Sequence, residues 1–125
     1  MNWILKPMKD VKVSLANEVK LEKFSLTKPM HDTEIQTELQ NPNPMDVEIF
    51  LPLLWQMLSL QPNAEEGSLL TNGYSNIFHV KLKDSRVVAV VVRWIGDVWR
   101  LSASELDCAD GRWSGGRAFF TLATA

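Results

Sequence analysis

Alternation between apolar and polar positions dominates the second half of the chain. The apolar residues at 78, 80 and 82 alternate with polar ones, which predicts a half-buried strand. Asp84-Ser85 predicts a turn, after which residues 86–95 are apolar on both faces over their middle. Such a strand is typical of a central position in a sheet covered on two sides. Further strands are expected from Val98 to Ala103 and from Arg117 to Leu122.

The segment RWIGDVWR, residues 93–100, reads nearly the same in both directions. Gly96-Asp97 is the expected two-residue turn, and glycine in the first position favours type II′. Such a turn places the two tryptophans opposite each other across an antiparallel hairpin, and the two arginines likewise. One extra residue in the turn would change this register.

Carried along both strands, this register separates two sets of side chains. The expected core face carries Val88, Val90, Val92, Trp94, Trp99, Leu101 and Ala103. The opposite face carries Val87, Ala89, Val91, Arg93, Arg100, Ser102 and Ser104. Like charges directly opposite are unfavourable, so Arg93 and Arg100 need carboxylates, solvent or a bound anion.

The first half of the chain predicts a hairpin and a short helix. Residues 11–22 alternate with an interruption at Asn17-Glu18, which favours a hairpin; a helix over 14–24 is the alternative. Residues 31–40 predict a short helix. Asp32 or Thr33 is its expected cap, and Thr33 and Gln36 have capping-box spacing.

A longer helix is expected after Asn43-Pro44, with asparagine as its cap and proline in its first turn. One apolar stripe along it comprises Val47, Phe50, Leu51, Leu54 and Leu58, and a second comprises Ile49, Leu53, Met57 and Leu60. A helix that is apolar on two sides is usually buried on both or shared with another chain. Pro52 either kinks this helix or begins it.

These elements predict an α+β fold in a single domain, residues 1–125. Its expected architecture is a mainly antiparallel sheet of four to six strands, packed on one face against one long kinked helix and one short helix. Two helices would not cover both apolar faces of the sheet while burying both stripes of the long helix. The surplus surface needs the N-terminal hairpin or a second copy of the chain, and we favour a homodimer.

Composition and charge narrow the function classes. With 46% hydrophobic and 22% charged residues, the chain has an ordinary globular composition. Its longest apolar run, residues 49–60, is too short to cross a membrane, and the N-terminus lacks a secretory pattern. The single cysteine, Cys108, fits a reducing compartment, so a cytoplasmic location is expected. The net charge of −2 argues against a global basic field for nucleic acid or membranes.

The arginines are distributed unevenly, since all five lie after Gly67. Arginine forms bidentate, partly desolvated contacts, and it is enriched with tryptophan at interaction hot spots. We therefore predict a non-enzymatic interaction module that binds an acidic protein or an anionic ligand. The expected patch comprises Arg93, Trp94, Trp99, Arg100, Arg112, Trp113 and Arg117. The plainer alternative is exposed arginines beside carboxylates, for which the nearest candidates are Glu105, Asp107 and Asp110.

Two other functions stay open at this point. A small-molecule or anion-binding domain, an enzyme included, would place a pocket near Tyr74, His79, Arg93 and Trp99. Nucleic-acid binding through the arginine and tryptophan patch is the third hypothesis. His31 and His79 lack further ligands at metal spacing, so we expect no metal and no cofactor. Titratable residues show no catalytic spacing, so enzymatic activity is not favoured.

Two segments show a resemblance to other proteins. GSLLTNGYSNIF (67–78) and RWSGGRAFF (112–120) resemble segments of small uncharacterised bacterial proteins of the kind carried on mobile DNA. The resemblance covers about the last half of the chain. It implies no activity, so it assigns no functional residue.

Overall fold

The computed structural model describes residues 5–7, 11–13, 19–40, 43–106, 113 and 116–122. Within these residues, two helices and one sheet are formed. In chain order the elements are β1 (Leu5–Pro7), β2 (Val11–Val13), β3 (Val19–Leu26), α1 (Asp32–Glu38), β4 (Met45–Asp46), α2 (Val47–Leu60), β5 (Asn76–Lys81), β6 (Val87–Ile95), β7 (Val98–Glu105) and β8 (Ala118–Leu122).

The strands lie in the order β1-β3-β8-β5-β6-β7, with β2 also paired to β3 and β4 to β5. Most pairings are antiparallel, which confirms the α+β class and the mainly antiparallel sheet. Two are parallel, β5 with β8 and β4 with β5. The sheet is therefore mixed, because β8 lies between β3 and β5 and these two strands run in opposite directions.

The two helices cover opposite faces of the sheet, and the expectation that both pack on one face is wrong. Helix α2 packs through Phe50 and Leu53 against the face that carries Phe78 and Phe120, which we call the α2 face. Helix α1 packs through Ile35 against the face that carries Ile77 and Phe119, the α1 face. This is possible because successive residues of β5 and β8 present large apolar side chains to both faces.

Both helices begin at other residues than the sequence predicts. His31, rather than Asp32 or Thr33, occupies the cap position of α1, and its backbone N–H donates to Glu34 Oε1 at 2.8 Å. Helix α2 begins at Val47 and not at Asn43-Pro44. The intervening Met45 and Asp46 form β4, paired with β5, and Asp46 is at the same time the extended N-cap residue of the helix. Pro52 lies inside α2 and does not begin it.

Helix α2 buries one side only. Its buried residues are Phe50, Leu53, Leu54 and Met57, drawn from both predicted stripes. Its exposed apolar residues are Ile49, Leu51, Trp55 and Leu60, of which Trp55 is 74% exposed. The prediction that both stripes are buried is therefore wrong within the single chain. The homodimer that would cover the second side stays a prediction.

The N-terminal prediction of a hairpin is confirmed in its paired part. Strands β2 and β3 are antiparallel, with Val11 opposite Leu21 and Val13 opposite Val19. The alternative helix over 14–24 is wrong, because β3 occupies most of it; the turn at 14–18 lies outside the described residues. Neither of the helices formed by the described residues is long and apolar enough to span a membrane.

Candidate functional site

The hairpin of β6 and β7 has the register that the sequence predicts. Arg93 lies opposite Arg100 and Trp94 opposite Trp99, and the register continues unbroken to the pair Val88 and Glu105. The turn differs in type, because Gly96 and Asp97 both have φ of +62°. Positive φ at both positions defines type I′ rather than type II′. Aspartate is one of the few residues with a side chain that tolerates this conformation.

The two tryptophans fasten the hairpin to the rest of the fold. Their rings meet edge to face on the α2 face, with centroids 5.3 Å apart and an interplanar angle of 70°. Trp99 Nε1 also donates to the backbone carbonyl of Gln61, at 2.7 Å, immediately after the end of α2. Both rings are partly buried, and these contacts fix the position of β7.

Strand β7 forms one edge of the sheet. It contains eight residues, and no described residue pairs with its outer side. Its side chains are exposed on both faces over most of its length, including Leu101 at 50% and Ser102. The prediction that Leu101 and Ala103 belong to the core is wrong, because the edge strand extends beyond the covered part of the sheet.

Arg93 and Arg100 lie side by side on the exposed part of the α1 face. Neither guanidinium forms an ion pair with a described residue. Glu105 is not their partner, because it pairs with Val88 and therefore belongs to the α2 face. Both arginines are exposed, and the other two candidate carboxylates, Asp107 and Asp110, lie outside the described residues.

The other members of the predicted patch lie elsewhere. Trp113 pairs with Met30 beside α1, and its Nε1 donates to Asp32 Oδ1 at 2.7 Å. The Arg117 guanidinium lies 4.0 Å from the centroid of the Tyr74 ring. Arg112 lies outside the described residues. The structure thus separates the predicted patch into an arginine pair on one face, a tryptophan pair on the other face and more distant residues.

A buried polar cluster joins α1 to the sheet, and the sequence did not predict it. Asp32 and His79 are 2% and 6% exposed, and His79 Nε2 lies 2.8 Å from Asp32 Oδ1. His79 Nδ1 lies 3.2 Å from Gln36 Nε2, and the imidazole meets Phe119 edge-on at 4.8 Å. This pairing matches the tautomer with its hydrogen on Nε2, which donates to Asp32, while Nδ1 accepts from the Gln36 amide.

The contacts of this cluster are structural, because they hold α1 against the sheet. Both nitrogens of His79 are occupied, so the ring has no nitrogen left for a substrate or a metal. Within the described part of the chain, no three His, Cys, Asp or Glu side chains are grouped so that they could hold a metal ion. Asp32 was expected to cap α1; it is instead the first residue of the helix, and its carboxylate contacts the sheet.

The residues proposed for an alternative pocket are not brought together. Trp99 lies on the α2 face, whereas His79 lies on the α1 face beneath α1. Tyr74 instead contacts Arg117, and Arg93 is exposed. A ligand pocket common to these four side chains is therefore not formed.

Two buried amides that the sequence did not identify order the segment before β5. The Gln61 side chain accepts from the backbone N–H of Leu69 at 2.9 Å and donates to its carbonyl at 3.0 Å. The Asn76 amide makes the corresponding pair with Leu70, at 2.8 and 3.2 Å. Asn76 had a visible signal, since it is a polar residue at a core-facing position of a strand. Gln61 had none, although its carbonyl receives the Trp99 hydrogen bond.

Comparison with known protein families, curated proteins and solved structures finds no match for this chain. The candidate site therefore depends on geometry alone, and its centre is the hairpin with the β7 edge and the arginine pair.

Proposed function

We propose that this protein is a non-enzymatic interaction module that binds an extended segment of a partner protein as an additional strand on the outer edge of β7. The observation that carries this proposal is the eight-residue edge strand, exposed on both faces and unpaired on its outer side by any described residue. An edge strand presents unsatisfied N–H and C=O groups, which are a template for another strand. The proposal keeps the predicted class of function and moves the contact from the patch to the edge.

Between Arg100 and Glu105, the β7 edge lacks the features by which proteins usually block pairing. Natural edges are short, carry lysine or proline, or contain bulges. The β6–β7 register contains no bulge, and residues 101–104 contain neither charge nor proline. Serine and alanine at 102–104 also allow a second backbone to approach closely. At the other end of the sheet, β1 and β2 have three residues each.

The hairpin geometry identifies the backbone groups that would bind. A two-residue turn is closed by a hydrogen-bonded pair, here Ile95 with Val98, and hydrogen-bonded and non-hydrogen-bonded pairs alternate along an antiparallel ladder. The N–H groups of Arg100 and Ser102 therefore point to β6. Those of Leu101 and Ala103 point to the outer edge.

The test uses a capped peptide of the same length as β7, eight residues, that alternates valine with serine. We expect its addition to shift the NMR resonances of β7 and to slow hydrogen exchange at the amides of Leu101 and Ala103. A matched peptide with prolines at two central serines would have no such effect, because proline does not complete a ladder.

A variant gives the reciprocal control. Ala103→Pro removes one outward N–H and keeps the ladder to β6, so it should fold and fail to bind the peptide. Ala103→Ser keeps that N–H and should bind as the wild type does. Resonance shifts that avoid β7, or equal responses to both peptides, would overturn the proposal.

Other assignments have less support. The ligand-pocket hypothesis, enzymatic or not, loses its pocket because Trp99 and His79 lie on opposite faces. Nucleic-acid binding is supported by the exposed pair of Arg93 and Arg100, and the net charge of −2 argues against it. The cytoplasmic location, the homodimer and the relation to bacterial mobile-DNA proteins stay predictions.

A further inference from the structure

We infer that the partner segment alternates acidic with apolar residues, acidic side chains lying on the α1 face and apolar ones on the α2 face. This inference rests on the proposed addition of a strand at β7. It follows from the different chemistry that the two faces of β7 present to any strand placed beside it.

The α1 face of the β7 edge presents exposed positive charge. Arg100 is exposed and directly opposite Arg93, and neither forms an ion pair with a described residue. An added strand would place a side chain of the same face directly beside Arg100, in the position where cross-strand partners interact. A carboxylate there would relieve the repulsion between the two arginines and bind a guanidinium in bidentate fashion.

The α2 face of the same edge is apolar. Leu101 is 50% exposed although its cross-strand partner, Val92, is fully buried. Ala103 is exposed in the same way beside Val90, which is 9% exposed. An apolar side chain on the added strand would extend the core outward over these residues and remove their surface from water.

Charge distinguishes such a partner from a second copy of this chain. The acid within β7 is Glu105, which lies on the α2 face. When two strands pair antiparallel across a two-fold axis normal to the sheet, the faces are kept, so no register places Glu105 of one copy beside Arg100 of the other. Self-pairing would instead add a second pair of arginines to the same face.

The experiment compares three capped peptides of equal length, alternating valine with glutamate, serine or lysine, by NMR titration at low and high salt. We expect the glutamate peptide to bind about tenfold more tightly than the serine peptide at low salt, from new charge contacts with Arg100 and Arg93. High salt should remove most of that difference. The lysine peptide should bind most weakly.

Variants locate the effect. Arg100→Gln should weaken binding of the glutamate peptide several-fold and leave that of the serine peptide unchanged. Arg86→Gln is the matched control, since Arg86 is also exposed but is paired with Asp84 at 2.7 Å beyond the far end of β6. It should change neither affinity.

The outcomes separate this inference from the proposed function. Equal binding of glutamate and serine peptides at β7 would overturn the acidic partner and leave strand addition intact. Absence of any response at β7 would overturn both. A dimer by light scattering, with slow exchange at the amides of Leu101 and Ala103 in the absence of peptide, would show that a second copy is the occupant, which also contradicts the inference.

Discussion

Trp94 and Trp99 meet edge to face across the β6–β7 hairpin, with ring centroids 5.3 Å apart, at the second pair of positions from the turn. Trp99 also donates its indole hydrogen to the carbonyl of Gln61. One ring contact thus fixes the strand register, and one hydrogen bond fixes the hairpin relative to α2. A pre-ordered edge strand binds an added strand with less loss of conformational entropy.

The tryptophan pair should stabilise the protein beyond the area that each ring buries. In a double-mutant cycle with Trp94→Ala and Trp99→Ala, we expect a coupling of about 0.5–1.5 kcal/mol, measured by chemical denaturation. Trp99→Phe should cost about 1 kcal/mol, because the Gln61 carbonyl loses its donor. Additive effects of the two alanine substitutions would contradict a direct contact.

The type I′ turn makes Gly96 sensitive to substitution. Gly96→Ala should cost about 1–2 kcal/mol, because a residue with a side chain is strained at positive φ. Steric clash does not contribute, since a Cβ at this position would have no neighbour within 4 Å. Asp97→Asn is the control and should be nearly neutral, because asparagine tolerates the same conformation. Equal stability of both variants in chemical denaturation would contradict the turn assignment.

The buried carboxylate of Asp32 accepts hydrogen bonds from both His79 and Trp113. Asp32→Ala leaves both donors without this acceptor and should cost about 2–5 kcal/mol. Asp32→Asn keeps one side-chain oxygen and should cost less. Glu38→Ala, on the same helix, is the control. If denaturation placed the Asp32→Ala and Glu38→Ala variants within about 0.5 kcal/mol of each other, the cluster would not be a stabilising contact.

Because Lys23 is buried, we expect the stability of the protein to depend on pH in the alkaline range. The residue is 8% exposed, its Nζ lies 5.8 Å from the Phe120 ring centroid, and burial lowers its pKa from the ordinary 10.5. The folded chain therefore binds this proton less strongly than the unfolded chain, so stability rises as the pH rises from the folded pKa toward 10.5. Lys23→Met should remove this rise and increase stability at neutral pH.

Lys81→Met provides the control for that measurement. Lys81 is exposed on β5, and its replacement changes the net charge by the same amount, so an effect confined to the Lys23→Met variant would come from the burial of Lys23. Denaturation midpoints measured across alkaline pH would contradict the account if the Lys23→Met variant and the wild type had parallel profiles.

Local patterns predicted the hairpin well and the long-range packing poorly. The register of β6 and β7 follows from the turn and the mirrored residues, all within a short segment, and it is confirmed. The opposite placement of α1 and α2 depends on β8 lying between β3 and β5, a contact between distant parts of the chain. Strand alternation does not contain that information.

The candidate site shows the same division. The pairing of Arg93 with Arg100 was predictable because it is local. The burial of Asp32 beside His79 was not, since 47 positions separate them and an aspartate near a helix start more often caps it. The exposure of Leu101 could not be predicted from the sequence either. A leucine that alternates with polar neighbours gives the same pattern whether or not a helix covers that part of the sheet.

Amide hydrogen exchange of the wild-type protein, resolved by NMR, shows whether the outer edge of β7 is accessible. We expect alternation along β7: slow exchange at the amides of Arg100 and Ser102, which bond to β6, and fast exchange at those of Leu101 and Ala103, which face outward. Slow exchange at all four amides would show that the edge is already paired, and it would contradict an open strand awaiting a partner.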